Sequence, residues 1–207
     1  LLMQFIYEFG APPFCTSIVT QNKEGQIIHG RNLDYSLPGI EKIVINLTFT
    51  KGGKPLYKGT TFAGYLGILT GMRVDGWTVS LDQRDKDNSS IINFFYILGG
   101  RIPSTWGIRD TLESQATYDG AVDVLSKAKY VAPAYYIIGG LNGDEGTVLT
   151  KKRSSLVDRW DIDTAKGRWY VLETNYDHWL PVPSSDDRRD PGNKNMHTVG
   201  KDAITPD

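Results

Sequence analysis

Between residues 43 and 50 apolar and polar positions alternate strictly: Ile43, Ile45, Leu47 and Phe49 fall on one face, Val44, Asn46, Thr48 and Thr50 on the other. That period of two predicts a half-buried strand. A Lys51-Gly52-Gly53-Lys54 turn follows, and shorter apolar or β-branched runs at 16–20, 26–29, 66–70 and 77–81 are set apart by Gly, Asn and Asp. The first third therefore predicts an antiparallel meander. The period then changes. Ala121, Val124, Leu125 and Ala128 recur at i, i+3, i+4 and i+7, behind Thr117 as a candidate N-cap and ahead of Pro133, which predicts an amphipathic helix. Weaker helical patterns cover 90–98 and 104–113, and strand patterns return at 135–138, 147–150, 156–162 and 168–173. Strands, helices and strands again predict an α+β layered domain, followed by a polar tail from about Pro183.

Composition narrows the function classes. The 207 residues suit one globular domain or two small ones, and 23 Lys+Arg against 24 Asp+Glu leave a net charge of -1, without the basic excess expected of a nucleic-acid binder. The longest apolar stretches, 1–9 and 91–98, are interrupted by Gln4, Glu8 and Asn93 and are about half the ~20 residues of a spanning helix, so the chain reads as soluble or peripheral. Its first residues lack a basic n-region and Leu1 is not an initiator, the expectation for a processed or clipped product. There is no Gly-rich phosphate loop, no G-x-S-x-G elbow and no HExxH, and His29, His178 and His197 lack metal-ligand spacing. No metal or cofactor is expected.

The single cysteine, Cys15, forbids an intrachain disulfide or a multi-thiolate metal site. It follows the loop Ala11-Pro12-Pro13 at the start of a β run, and two readings stand. A lone cysteine is commonly a small buried hydrophobe. Alternatively it is a nucleophile, since Arg31 and Asp34 come within reach if the first two strands pair, and an arginine favours a thiolate. Against the second reading, Arg31 and Asp34 also fit an exposed ion pair, Asn175 fits turn chemistry, and 186–190 fits a solvated charged loop. A Cys15–His178 pair oriented by Asn175 is a further, papain-like arrangement.

A longer resemblance favours the nucleophile. Cys15-Thr16-Ser17-Ile18-Val19, His29-Gly30-Arg31-Asn32-Leu33-Asp34, Thr61-Phe62-Ala63-Gly64-Tyr65-Leu66-Gly67, and Glu173-Thr174-Asn175-Tyr176-Asp177-His178-Trp179 with Asp186-Asp187-Arg188-Arg189 occur in this order. Over Phe14 to Arg189 the chain resembles the N-acylethanolamine acid amidase and acid ceramidase family of N-terminal-nucleophile hydrolases, relatives of the bile-salt hydrolases. The resemblance implies an αββα sandwich of antiparallel sheets, here an incomplete copy. Residues 1–14 would be the remnant of an α chain or propeptide, and 15–207 a C-terminally truncated β-chain catalytic domain. Autoproteolysis between Phe14 and Cys15 would expose Cys15 as nucleophile. Arg31, Asp34 and Arg188 match active-site residues, and Asn175 matches an oxyanion donor. The freed α-amine, with an ordinary pKa of about 7.7–8, would serve as the base.

The implied reaction is hydrolysis of lipid N-acyl amides, N-acylethanolamines such as palmitoylethanolamide, through a Cys15 thioester. Ceramide is the alternative substrate, and a catalytically inactive lipid-binding relative or fragment is the alternative of another class. The implied partners are the lipid amide, an α chain from the same precursor and, through the apolar cluster at 91–98, peripheral contact with a membrane. No nucleic acid is expected. The implied location is the lysosome, with which the sequons at Asn46 and Asn88 agree. Gln83, a candidate oxyanion or site-tuning residue, stands where the family has glutamate: a role through its backbone amide tolerates glutamine, whereas a carboxylate that sets the site's ionisation would move the pH profile.

Overall fold

The computed structural model describes residues 2–9, 14–35 and 37–206; the Ala11-Pro12-Pro13 loop lies outside them. A short helix α1 (Ile6–Phe9) precedes strands β1 (Phe14–Gln21), β2 (Ile27–Asp34), β3 (Val44–Lys51), β4 (Lys54–Phe62), β5 (Thr70–Arg73) and β6 (Thr78–Gln83). Helices α2 (Ser90–Leu98), α3 (Ser104–Ser114) and α4 (Tyr118–Lys127) follow. The chain ends with β7 (Ala134–Gly139), β8 (Gly146–Lys151), β9 (Leu156–Asp161), β10 (Tyr170–Glu173) and helix α5 (Arg189–Val199).

Among the described residues the named strands form two antiparallel sheets, one running β3 to β9 in sequence order and one in the order β10-β1-β2. The expected single meander in the first third is thus divided. β1 and β2 join β10, which arrives from the far end of the chain, and β3 to β6 build the other sheet. The expected strand at 66–70 is displaced to β5: Ile68 and Leu69 are buried in the core, and the Ile68 amide bonds to the Thr105 carbonyl, so that apolar run is a core-filling loop. The polar tail contains α5.

Period two decides what each face meets. In β7 and β8, Tyr135, Ile137 and Val148 pack with Val19 and Val171 between the two sheets. Tyr136, Ile138 and Leu149 face the other way, into a core shared with Ile108 and Leu112 of α3 and Ala121 and Leu125 of α4. On the outside of the small sheet, Met196 of α5 packs on Tyr170 and Leu172. The layers therefore run helix, sheet, sheet, helix, an α+β sandwich of the αββα kind. Thr117 caps α4 as its sequence predicts, its Oγ1 accepting from the Gly120 amide at 3.2 Å. Helix α2 keeps Asn93 buried and turns Ile91, Phe95 and Leu98 outward, at 72%, 65% and 67% exposure. Among the described residues no helix is long and apolar enough to cross a membrane.

Candidate active site

The thiol is assembled by strand alternation. In β1 the odd positions Cys15, Ser17 and Val19 are buried against the large sheet, and the β1–β2 register sets Arg31 opposite Ser17 and Leu33 opposite Cys15. In β6, Val79 and Leu81 enter the helix-side core, and Ser80 and Asp82 project the other way, meeting Ser17. Cys15 is completely buried. Arg31 Nη2 approaches its Sγ to 3.6 Å and is held by the Leu81 carbonyl at 2.6 Å, with Nη1 on the Leu69 carbonyl at 2.9 Å and Thr70 Oγ1 at 2.6 Å.

The loop after β10 supplies the opposite wall. Asn175 Oδ1 accepts from the Cys15 amide at 2.7 Å and from Arg188 Nη2 at 2.9 Å, and its Nδ2 donates to the Gln83 carbonyl at 2.9 Å. Two donors on one side and a carbonyl on the other fix which way the amide points. Arg188 also donates to the Cys15 carbonyl at 2.5 Å and forks onto Asp186 at 2.6 and 2.5 Å. Its guanidinium lies 5.0 Å from the Phe14 ring centroid. One residue pair beyond, buried Asp177 takes a bidentate bond from Arg84 at 2.7 and 2.9 Å and a hydroxyl from Tyr135 at 2.9 Å, which ties the Asn175 loop to the end of β6.

The remaining residues anticipated from sequence lie as follows. Asp34 is exposed at the end of β2, opposite Phe14 in register. With Arg31 it lines a cavity of about 480 Å³ that Tyr35, Phe62 and Leu69 make largely apolar. A second cavity, of about 380 Å³, is lined by Phe14, Asn175 and Asp186 among others. Gln83 reaches the site through its main chain, its carbonyl accepting from Asn175 and its backbone amide pulling the thiol pKa down; its buried side-chain Oε1 holds no hydrogen bond. His178 does not make the papain-like pair: its ring stacks on Trp160 at 4.1 Å and faces Asp158 at 3.8 Å, because the Trp160 surface of β9 captures it. Asn46 is exposed and accepts from Thr60 Oγ1 at 2.7 Å, and half-buried Asn88 accepts from Asn93 at 2.9 Å. Sequence reasoning passed over Asp82, Ser17, Asp186 and Asp177, each of which contacts a site residue or braces its loop.

Burial dominates the electrostatics. Desolvation, then the charge of Asp82, pushes the Cys15 thiol up to about 11, against the opposing pull of Arg31 and of the Gln83 amide. Arg31 acts in the anticipated direction but is outweighed in the uncut chain. Burial likewise lifts Asp82 to about 7, although Arg31 and the Ser17 hydroxyl lower it, and burial plus Arg31 holds His29 down at about 3. The site thus combines a protonated nucleophile, two fixed guanidinium groups and oriented amides, the parts needed to attack a carbonyl and to hold the charge that develops on it.

The model of the choloylglycine hydrolase family, linear amide C–N hydrolases, matches residues 15–201. The chain is 41% identical over 204 residues to the N-acylethanolamine-hydrolyzing acid amidase of Oryctolagus cuniculus, covering 97% of this chain and 56% of the relative. It is 35% identical over 222 residues to the acid ceramidase of Bos taurus, covering 99% and 56%. It therefore spans about half the length of the curated relatives it matches. A solved structure, the Caenorhabditis elegans N-acylethanolamine-hydrolyzing acid amidase ortholog, superposes with a TM-score of 0.82 at 39% identity, covering 92% of this chain and 82% of that one.

Proposed function

The chain belongs to the choloylglycine hydrolase family of linear amide C–N hydrolases, and from that membership and the surroundings of its thiol we propose that it hydrolyses lipid N-acyl amides through Cys15. The observation that carries this reading is the buried thiol at the start of β1, with Arg31 beside Sγ and Asn175 and Arg188 gripping its own peptide groups. Cutting between Phe14 and Cys15 frees an amine next to Sγ. Cys15 Sγ then attacks the acyl carbonyl, the amine relays the thiol proton to the departing nitrogen, and water hydrolyses the thioester. Asn175 Nδ2 has a second hydrogen beyond the one given to Gln83, and that hydrogen serves the oxyanion. The apolar cavity beside Arg31 suits an acyl chain.

The higher identity to the acid amidases than to the acid ceramidases favours N-acylethanolamines over ceramides. An α segment cut from the same precursor is the expected partner, and an acidic lysosomal lumen the expected location, in keeping with the names of both relatives. The test is mass spectrometry of the full-length protein at acidic pH, with palmitoylethanolamide and a short-chain ceramide as competing substrates. A new amino terminus at Cys15, an acyl adduct on it and faster release from palmitoylethanolamide are expected, with Cys15→Ala abolishing all three. A chain that stays uncut and traps no acyl group is instead an inactive lipid-binding relative.

A further inference from the structure

Asp82 is fully buried, and its contacts converge on the thiol. Arg31 Nη2 lies 3.6 Å from Cys15 Sγ and 3.6 Å from Asp82 Oδ1, so one guanidinium nitrogen faces both groups. Ser17 Oγ donates to Oδ1 at 2.9 Å, Ser80 Oγ donates to Ser17 Oγ at 2.8 Å, and His29 Nε2 lies 2.9 Å from Ser80 Oγ. With the His29 proton on Nε2, every donor along this line points towards the carboxylate, and Nδ1 lies 2.9 Å from Thr78 Oγ1, whose hydroxyl is shared with the Gly139 carbonyl at 3.2 Å. Asp82 Oδ2 is buried without a hydrogen bond, a costly position for an anionic oxygen and a ready one for a proton.

We propose that Asp82 and Cys15 compete for the Arg31 guanidinium, and that Asp82 is the positioning residue that decides whether Cys15 becomes a thiolate. While the carboxylate is ionised, it holds the cation and the thiol keeps its proton. When that proton moves across, the S–H bond breaks, an O–H bond forms on Asp82, and Arg31 faces the thiolate; the site as a whole gains and loses nothing. Arg31 has no need to move, because Leu81, Leu69 and Thr70 hold it independently of Asp82. The other titratable groups facing Asp82 are Arg188 and, from β10, Glu173, whose carboxyl is pushed by burial well above the ordinary range towards its neutral form, with neutral His29 two hydroxyls away. Burial lifts Asp82 to about 7 and the thiol to about 11, and groups coupled this closely titrate as a pair.

This inference rests on Cys15 as the reactive group of the proposed hydrolase, but its test reads the thiol and not hydrolysis. Iodoacetamide alkylation is followed from pH 5 to 11, counting only uncut molecules by intact mass. The native chain should show two inflections. Asp82→Asn, which removes the rival charge and keeps the shape, should show one inflection and react about tenfold or more faster at pH 9, one pKa unit being tenfold. Ser17→Ala, which removes a donor to the carboxylate, should move the lower inflection to higher pH. A folded Asp82→Asn chain that reacts no faster than the native one overturns the proposal, whether or not the protein hydrolyses an amide. If that variant does not fold, an unmoved lower inflection in Ser17→Ala overturns it. The expected alkylation profile without any amide hydrolysis supports the competition and defeats the hydrolase reading.

Discussion

Replacing Asn175 by alanine removes three bonds at once: the acceptor of the Cys15 amide at 2.7 Å, the acceptor of Arg188 Nη2 at 2.9 Å and the donor to the Gln83 carbonyl at 2.9 Å. Arg188 loses least, since Asp186 and the Cys15 carbonyl still hold it. The Cys15 amide and the Gln83 carbonyl belong to residues that are 0% and 4% exposed, and a buried backbone group deprived of its partner costs about 1–3 kcal/mol. Asn175 itself keeps 8% exposure, so water can reach part of the gap and the sum falls near the low end, about 2–3 kcal/mol. Urea unfolding of the uncut chain, with Cys15→Ala in both proteins so that cleavage cannot intervene, measures this directly. On a cleavage-competent background the same substitution should lower amide turnover by about 10²–10³, the usual effect of losing an oxyanion donor. Asn175→Asp separates the roles, because it keeps the acceptor for Cys15 and Arg188 and replaces the donor by an anionic oxygen facing the Gln83 carbonyl. A stability change below about 0.5 kcal/mol, the size of a neutral surface substitution, together with turnover within tenfold of the native value, would refute the reasoning.

Arg188→Lys keeps the charge but cannot fork onto Asp186 while also reaching Asn175 and the Cys15 carbonyl; turnover should fall more than about tenfold, with urea stability nearly unchanged at this partly exposed position. Phe94→Ser with Phe95→Ser removes two exposed rings of α2, at 51% and 65% exposure, and should weaken binding to phosphatidylcholine vesicles in a sedimentation assay; unchanged partitioning by a folded protein would exclude contact through this helix. His29, held down at about 3 against an ordinary 6.5, takes up a proton in the unfolded chain before the folded one. Stability from this group is therefore present above pH 6.5 and lost as the pH falls towards 3, and His29→Gln should flatten that loss in urea titrations at successive pH values.

The parts of the fold that were legible are those in which one element decides its own environment. The alternation in β3 leaves Ile45, Leu47 and Phe49 half-buried with exposed neighbours between them, and the spacing behind Thr117 buries Ala121 and Leu125 of α4. Long-range pairing was not legible. Nothing local to residues 16–20 announces that their partner is β10, with Ser17 opposite Glu173, and without that pairing the first strands read as one meander. Helix α5 was hidden for a different reason. Its opening Arg189-Asp190-Pro191-Gly192 carries two poor helix formers, and the helix is fixed by packing, through Met196 on Tyr170 and Leu172.

The same distinction divides the site. Cys15 and Arg31 occupy odd positions on two paired strands, so once those strands are paired the two side chains must share a face. Asp34, at an even position, starts from the other face of β2, yet at the strand's end it lines the same cavity as Arg31. In β6 the polar residues Thr78, Ser80 and Asp82 alternate with Val79 and Leu81, a pattern that on its own describes a strand with one side in water. The small sheet covers that side. Residues that local patterning assigns to solvent become the lining of the layer where the thiol is buried, and Asp82 acquires its influence from the burial that the pattern conceals. Burial also reverses what proximity suggests. Arg31 lies within reach of the sulfur, yet desolvation and the neighbouring carboxylate outweigh it and keep the thiol protonated in the uncut chain. A residue list can place a cation next to a thiol; the net sign of the interaction depends on which other charge shares the enclosed space.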